Sequence, residues 1–187
     1  MHPPITSTAH RPSNSAVCKR AFDVTVAGIA LVLLAPLFVI AAAVIRLEGT
    51  GPVFLRQTRV GRFGKRFALL KFRTVNGQSD GVVGRWLRMT GIDELPQLLN
   101  VLIGDMSLVG PRPMNEHELR HLQPRHYERH EVLPGITGLA QVTCRGRAST
   151  DDMLKLDVDY VRSQSLLTDL KLIFATIPVV LNSDSTR

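Results

Sequence analysis

Residues 24–45 (VTVAGIALVLLAPLFVIAAAVI) form a run of 22 residues without a charge, bounded by Asp23 and Arg46. At ~1.5 Å rise per residue, a straight helix of that length crosses the hydrocarbon core of a bilayer. Two features argue for another path. Lys19 and Arg20 precede the run and Arg46 follows it, whereas positive residues mark the cytoplasmic side of a membrane. Pro36 lies near the middle; it lacks a backbone donor and clashes with the preceding turn. The pattern therefore predicts a re-entrant helix-break-helix, with Pro36 at the break and both arms returning to one face, against the alternative of a straight span. A cleaved signal fits poorly, because its apolar core is usually only roughly 7 to 15 residues long.

After this run the periodicity shortens. Residues 53–55 and 67–72 read as short strands around Val60-Gly61-Arg62-Phe63-Gly64, a small β-hairpin. Residues 81–88 lead toward a helix over 97–103, with Pro96 suited to its first turn and Gly104 to its stop. Asp93 and Glu94 then stand at its N-terminus. Pro111, Pro113, Pro134 and Gly135 mark irregular loops, and residues 151–181 carry an amphipathic helical pattern with a break near Pro178. Residues 1–17, rich in Pro, Ser and Thr, read as a disordered tail. The expected organisation is that tail, a re-entrant membrane anchor over 18–48, and one functional region over 49–187 on the cytoplasmic face. The fold class is mainly α with a small β-hairpin and amphipathic interfacial helices.

Charge adds a partner class. The 187 residues suit one domain, and 23 Lys and Arg against 16 acids leave a net charge of +7, which favours phosphate, anionic lipid or nucleic acid. The excess is local: from Glu48 to Asp80 there is no intervening acid, yet Arg56, Arg59, Arg62, Lys65, Arg66, Lys71 and Arg73 supply seven cations. A hairpin there would lay many of them on a membrane surface. Cys18 and Cys144 lie far apart without disulfide or metal spacing and read as reduced thiols.

Adjacent carboxylates at a helix start often only favour its dipole. Here their neighbours change the balance. Arg88 precedes Asp93-Glu94-Leu95-Pro96-Gln97, and Gly104-Asp105-Met106-Ser107-Leu108-Val109-Gly110-Pro111-Arg112-Pro113 follows within one short helix. Together with Lys19-Arg20-Ala21-Phe22-Asp23, Lys71-Phe72-Arg73-Thr74, Pro134-Gly135-Ile136-Thr137-Gly138 and Leu156-Asp157 to Tyr160-Val161, this order and spacing strongly resembles the monotopic phosphoglycosyl transferases, or bacterial sugar transferases. The resemblance runs from Lys19 to about Leu181.

It implies transfer of a sugar phosphate from a UDP-sugar to undecaprenyl or another polyprenyl phosphate, with release of UMP, starting the assembly of a membrane glycan. In the implied mechanism Asp93 is the nucleophile and holds the phosphosugar as an acyl phosphate, and Glu94 holds Mg²⁺. Lys71, Arg73, Arg88, Arg112 and Arg145 would bind substrate phosphate, with Pro111 and Pro113 shaping an active-site turn. The implied setting is the bacterial inner membrane, cytoplasmic face, with bilayer lipids, downstream glycosyltransferases and a homodimer as partners and no nucleic acid. Departures from the pattern are Val75 after Thr74, a short loop over 76–84, and Thr143-Cys144-Arg145 after Gln141-Val142. No sugar identity is therefore carried over.

Two rivals have their own residues. His117-Glu118-Leu119-Arg120-His121 fits a helical two-histidine zinc motif with a glutamate base, implying a zinc-dependent hydrolase. It needs a third ligand, Pro124 follows soon after, and His126 with His130 form a second pair open to a solvent-exposed reading. The other rival is a non-enzymatic basic membrane adaptor working through residues 56–73, which explains the charge but not the carboxylates.

Overall fold

A computed structural model describes residues 14–75, 81–120, 122–144 and 148–181. Helix α1 (Asn14–Glu48) is 35 residues long, and it starts inside the stretch expected to be a tail. It also runs through Pro36 without a gap in its helical residues, where two separate arms were expected. A proline removes one i→i−4 bond, and the long apolar turns on either side hold the helix together around it. Ile29, Val32, Leu33, Val39 and Ile40 are exposed, while Ala27, Ala41 and Ile45 pack on the rest of the fold. Only 11% of the most apolar window is buried by protein. A soluble core helix of this composition would be covered by protein, whereas this one is long and apolar enough to cross a membrane and is left largely bare.

Strands β1 (Phe54–Val60) and β2 (Arg66–Phe72) pair antiparallel from Phe54↔Phe72 to Val60↔Arg66. The predicted hairpin is thus present, with β1 longer than expected and a 3₁₀ turn over Arg62–Gly64 between the strands. Alternation decides its packing. Phe67 and Leu69 face the main core with Leu98, Val101, Met106 and Val109. At the open end Phe72 stacks on Phe54, rings 5.4 Å apart, and meets Phe38 of α1 edge-on at 5.3 Å. Lys71, next in the strand, points away from that cluster.

Helix α2 (Val82–Thr90) follows, then a 3₁₀ turn over Ile92–Glu94, then α3 (Gln97–Ile103), which Gly104 ends as its spacing predicted. Asn100 of α3 is buried and bridges to β2. Its Nδ2 donates to the Ala68 carbonyl at 2.8 Å and its Oδ1 accepts the Leu70 amide at 2.9 Å. Strand β3 (Ser107–Val109) pairs in parallel with β4 (Gly135–Thr137), a second sheet that the loop reading missed because both strands are three residues long. Between them lie α4 (Glu116–Arg120) and a 3₁₀ segment over Pro124–His130. Helix α5 (Leu139–Cys144) leads to α6 (Thr150–Ser163) and α7 (Leu166–Leu181). The break in this last region falls at Gln164 and Ser165, not at Pro178. Gln164 turns extended, the Ser165 hydroxyl caps the new helix by accepting the Thr168 amide at 3.1 Å, and Pro178 sits inside α7. Exposed Val82, Trp86 and Met89 on α2 and Leu167, Leu170, Phe174 and Ile177 on α7 give the amphipathic faces expected of interfacial helices.

Candidate active site

The carboxylate pair is held by the end of α2. Gly91 closes that helix at φ 70°, a left-handed conformation that favours glycine, and its amide bonds the Arg88 carbonyl. The chain then tightens into the 3₁₀ turn over Ile92–Glu94, which buries Asp93 to 7% exposure and leaves Glu94 half-buried. Lys71 reaches across from β2 to place its ammonium 2.6 Å from Glu94 Oε1. The Lys71-Phe72-Arg73-Thr74 string can be read position by position. Lys71 meets the dyad and Phe72 fills the core under α1. Arg73 donates to the carbonyls of Ile45, Gly49 and Thr50 at 3.1, 3.0 and 2.6 Å. The Thr74 carbonyl accepts from Arg88 at 3.3 Å and lies against Gly84, where a Cβ would come within 1.7 Å of it. Helix α2 can approach that strand end only because position 84 has no side chain.

A second cluster surrounds Pro111-Arg112-Pro113. Three neighbouring carbonyls are gripped from three sides. The Gly135 amide donates to the Pro111 carbonyl at 3.0 Å, Arg129 to the Arg112 carbonyl at 2.7 Å, and the Val60 amide to the Met114 carbonyl at 2.8 Å. Pro111, Pro113 and Met114 are buried while Arg112 is exposed, and its guanidinium has no hydrogen-bond or ionic partner among the described residues. The turn is attached at Val60, five positions along β1 from Leu55, which stands opposite Lys71. Lys71 and Glu94 are thus joined directly, and Arg88, five residues before Asp93 in the chain, donates to the Thr74 carbonyl. The turn that carries Arg112 is attached at the other end of the hairpin. Arg145 lies outside the described residues.

Residues 14–183 match the family model described as bacterial sugar transferase. The chain belongs to that family. It is 43% identical to the UDP-glucose:undecaprenyl-phosphate glucose-1-phosphate transferase of Caulobacter vibrioides, over 89% of this chain and 71% of that protein. It is 42% identical to the uncharacterized sugar transferase EpsL of Bacillus subtilis, over 91% of each. With the UDP-glucose:undecaprenyl-phosphate glucose-1-phosphate transferase of Escherichia coli it shares 38% identity over 85% of this chain, but it spans only 39% of that longer protein. The enzyme class expected from the motifs, a phosphoglycosyl transferase, agrees with these findings.

Most members of the cation run of this sugar transferase have protein partners. Arg59 lies 3.9 Å from Glu118, Arg62 donates to the Glu131 carbonyl at 2.8 Å and covers the Phe63 ring, and Lys65 lies 4.0 Å from Asp105. Arg66 meets Glu116 at 2.7 Å, while Lys71 and Arg73 are engaged as described. Of the seven, only Arg56 lacks a partner among the described residues, and Arg59, Lys65, Arg66 and Lys71 each face a carboxylate, which weakens the charge argument for the adaptor reading. The zinc motif also loses its context. His117 is exposed on the five-residue α4, His121 is outside the described residues, and His126 and His130 are buried, against the exposed reading. Among the described residues no three His, Cys, Asp or Glu side chains are grouped to hold a metal.

The Mg²⁺ that the resemblance implies needs fewer protein ligands. This hard ion is commonly held by one or two carboxylates and completed by substrate phosphate and water. Glu94 fits that habit, with one of its oxygens shared with Lys71.

Sequence reasoning assigned no role to a buried network that seats the anchor in the transferase. Lys19 bonds Asp169 at 2.5 Å and the Val109 carbonyl at 3.3 Å. Tyr160 donates to Asp169 at 2.7 Å, and Ser107 donates to Asp23 at 2.8 Å. Burial pushes the Tyr160 phenol far above its ordinary range, so it stays a donor. Arg20 meanwhile takes the Val101 and Leu102 carbonyls at the end of α3, at 2.7 and 3.1 Å. The available signal was the same Lys19 to Asp23 and Asp157 to Tyr160 strings, read as motifs without their mutual contacts.

Proposed function

We propose that this sugar transferase moves a sugar 1-phosphate from a UDP-sugar to undecaprenyl or a related polyprenyl phosphate through a covalent bond to Asp93. The observation that carries the reading is the rigid dyad: a buried aspartate fixed by a glycine-capped turn, beside a glutamate already paired with a lysine. A carboxylate is a competent covalent nucleophile toward phosphorus, but it must approach a diphosphate against charge repulsion. Lys71 sits beside the dyad with a positive charge, and Arg88 and Arg112 supply forked donors suited to phosphate oxygens. Glu94 would hold Mg²⁺, which when bound would supply positive charge to offset that developing on the leaving phosphate. Asp93 Oδ bonds to the sugar-linked phosphorus as the phosphoanhydride bond breaks and UMP departs. An oxygen of the polyprenyl phosphate then attacks the same phosphorus, returning Asp93 to a free carboxylate and forming a polyprenyl diphosphate sugar.

The acceptor keeps its tail in lipid, so the dyad must sit at headgroup level. Both ends of α1 support this placement. Arg20 and Lys19 attach its start to α3 and β3, and Arg73 attaches its Ile45 carbonyl to the end of β2. The two attachments are close along the fold, because Asn100, next to Val101, bonds Leu70, three residues before Arg73. A helix crossing the bilayer would carry its ends to opposite faces. With both ends on one small body, α1 fits a re-entrant anchor bent at Pro36, entering and leaving on the cytoplasmic face of the inner membrane, where UDP-sugars are available.

The test is UMP release in lipid nanodiscs with Mg²⁺, polyprenyl phosphate and a panel of UDP-sugars led by UDP-glucose. Asp93→Asn is expected to lose at least about 10³-fold in kcat while still binding membranes. Without acceptor, incubation with the donor adds a phosphosugar mass to the peptide carrying Asp93. An adduct on another side chain, or silence from a folded sample with every donor, ends the reading.

A further inference from the structure

Arg129 and Asp157 form a buried pair that the transfer reaction does not itself require. Arg129 is 4% exposed, as is Asp157. The guanidinium donates to Asp157 Oδ2 through Nε at 3.1 Å and through Nη2 at 2.7 Å, and the same Nη2 reaches the Arg112 carbonyl at 2.7 Å. Burial holds the Asp157 carboxyl above the ordinary carboxylate range, and Arg129 offsets only part of this. Such a pair is weak evidence for stability, because desolvation offsets much of its attraction and apolar residues of similar size often serve as well. What apolar residues could not do is hold a carbonyl. The pair aims a donor at the backbone of Arg112, whose flanking prolines stiffen the turn and whose own guanidinium faces outward.

We propose that Asp157 and Arg129 are positioning residues: Asp157 orients Arg129, and Arg129 fixes the Pro111-Arg112-Pro113 turn so that the Arg112 fork meets the donor diphosphate. This rests on the phosphate role given to Arg112 above. Of the three grips on the turn, those from Gly135 and Val60 come from backbone amides; the one from Arg129 is a side chain and can be removed. His130 stiffens the same patch. Its Nδ1 lies 3.2 Å from the Gly61 carbonyl, which can only accept, so Nδ1 carries the proton. Arg62 holds the next residue, Glu131, by its carbonyl. The recess beneath the turn is lined by Pro111, Arg112, Arg129 and His130.

The test is a mutant cycle on the full chain in nanodiscs, reading kcat and KM for UDP-glucose or whichever UDP-sugar turns over. Asp157→Asn alone strands a buried cation and can unfold the protein, so two other variants carry the experiment. Arg129→Met with Asp157→Leu removes both charges at similar volume; Arg129→Lys keeps the charge pair but loses the fork. Both are expected to melt near the parent temperature. The paired variant should lose about 10²-fold in kcat/KM, as small misplacements of a substrate ligand do. In an Arg112→Ala background, the paired change should alter kcat/KM by less than about twofold, since the group it positions is gone. A folded paired variant with parental kcat/KM overturns the proposal. So do losses that multiply with Arg112→Ala, which leave the phosphate role of Arg112 standing. If Arg112→Ala alone is silent, the phosphate role and the positioning chain fall together.

Discussion

Arg73 and Arg112 look alike in the sequence, each a motif arginine suited to phosphate, yet the structure uses opposite ends of them. Arg73 spends its guanidinium on three backbone carbonyls, one in the last turn of α1 and two in the link to β1, closing the apolar helix onto the hairpin. Arg112 is held by its backbone, and its guanidinium projects from a clamped turn with no protein partner described. The first is a clasp and the second is presented to whatever arrives from solution. A motif identifies the residue, but the acceptors around it decide whether its charge remains available for substrate.

The widest separation between the two should come from lysine substitutions. Arg112→Lys keeps the charge and loses the fork, so kcat/KM is expected to fall about 10²-fold or more, on the order of 3 kcal/mol of transition-state stabilisation, with an unchanged melting temperature. Arg73→Lys should give the reverse order of effects. If Arg73→Lys lowers turnover more than Arg112→Lys while both proteins stay folded, the comparison is wrong.

Acid separates the regions next. Burial, with Arg129 beside it, depresses the His130 imidazole to about 4, against about 6.5 in an unfolded chain. Between those values the unfolded chain binds more protons, so stability falls as pH drops from about 6.5 to about 4, by roughly 3 kcal/mol in total. His126, also lowered by burial, acts in the same direction, whereas Asp157, raised by burial, opposes it. The Arg73 clasp holds only carbonyls, which do not titrate in this range. Melting temperatures at pH 7 and pH 5 should therefore differ less in His130→Asn, which can still donate to the Gly61 carbonyl, than in the parent. Parallel curves would remove His130 as the acid-sensitive element.

A smaller effect is expected from Arg73→Met. Three carbonyls lose a charged donor, and water can replace part of it at Thr50, which is exposed, though not at the buried Ile45, so about 2 kcal/mol of stability is at stake. Proteolysis between α1 and β1, at residues 49–52, should rise in parallel. Unchanged melting and protease resistance would mean that the Phe38, Phe54 and Phe72 cluster alone seats this end of the anchor.

Much of this was legible in the chain. The apolar run, the hairpin, the Gly104 stop and the dyad each follow from local rules of periodicity, turn chemistry and capping. The rest depends on contacts distant in sequence. Nothing local at Asn100 announces that its amide completes β2, although an asparagine amid the apolar positions of α3 was a hint. Strands β3 and β4 are too short for alternation to show. The break at Gln164 beat Pro178 because a capping serine and an extended residue end a helix, whereas a proline late in an apolar helix costs only one bond. Lys19 and Asp169 are separated by 150 residues, and only the fold makes them partners.

The seven-cation run supplies the smallest expected effect and tests the same principle. Read as a sequence, it is a surface for polyanions, and each member should matter to binding. In the structure, Arg66 faces Glu116 with both side chains largely solvated, and exposed pairs of this kind contribute only about 0 to 1 kcal/mol. Arg66→Ala should therefore leave kcat/KM within about twofold and shift stability by less than about 1 kcal/mol. Its membrane binding should keep nearly the salt dependence of the parent, because a cation already neutralised by a neighbour adds little to long-range attraction. A large loss of membrane binding in Arg66→Ala, growing at low salt, would show that the pair opens in front of lipid, and would return the hairpin to the set of surfaces that, like Arg112, hold their charge for a partner.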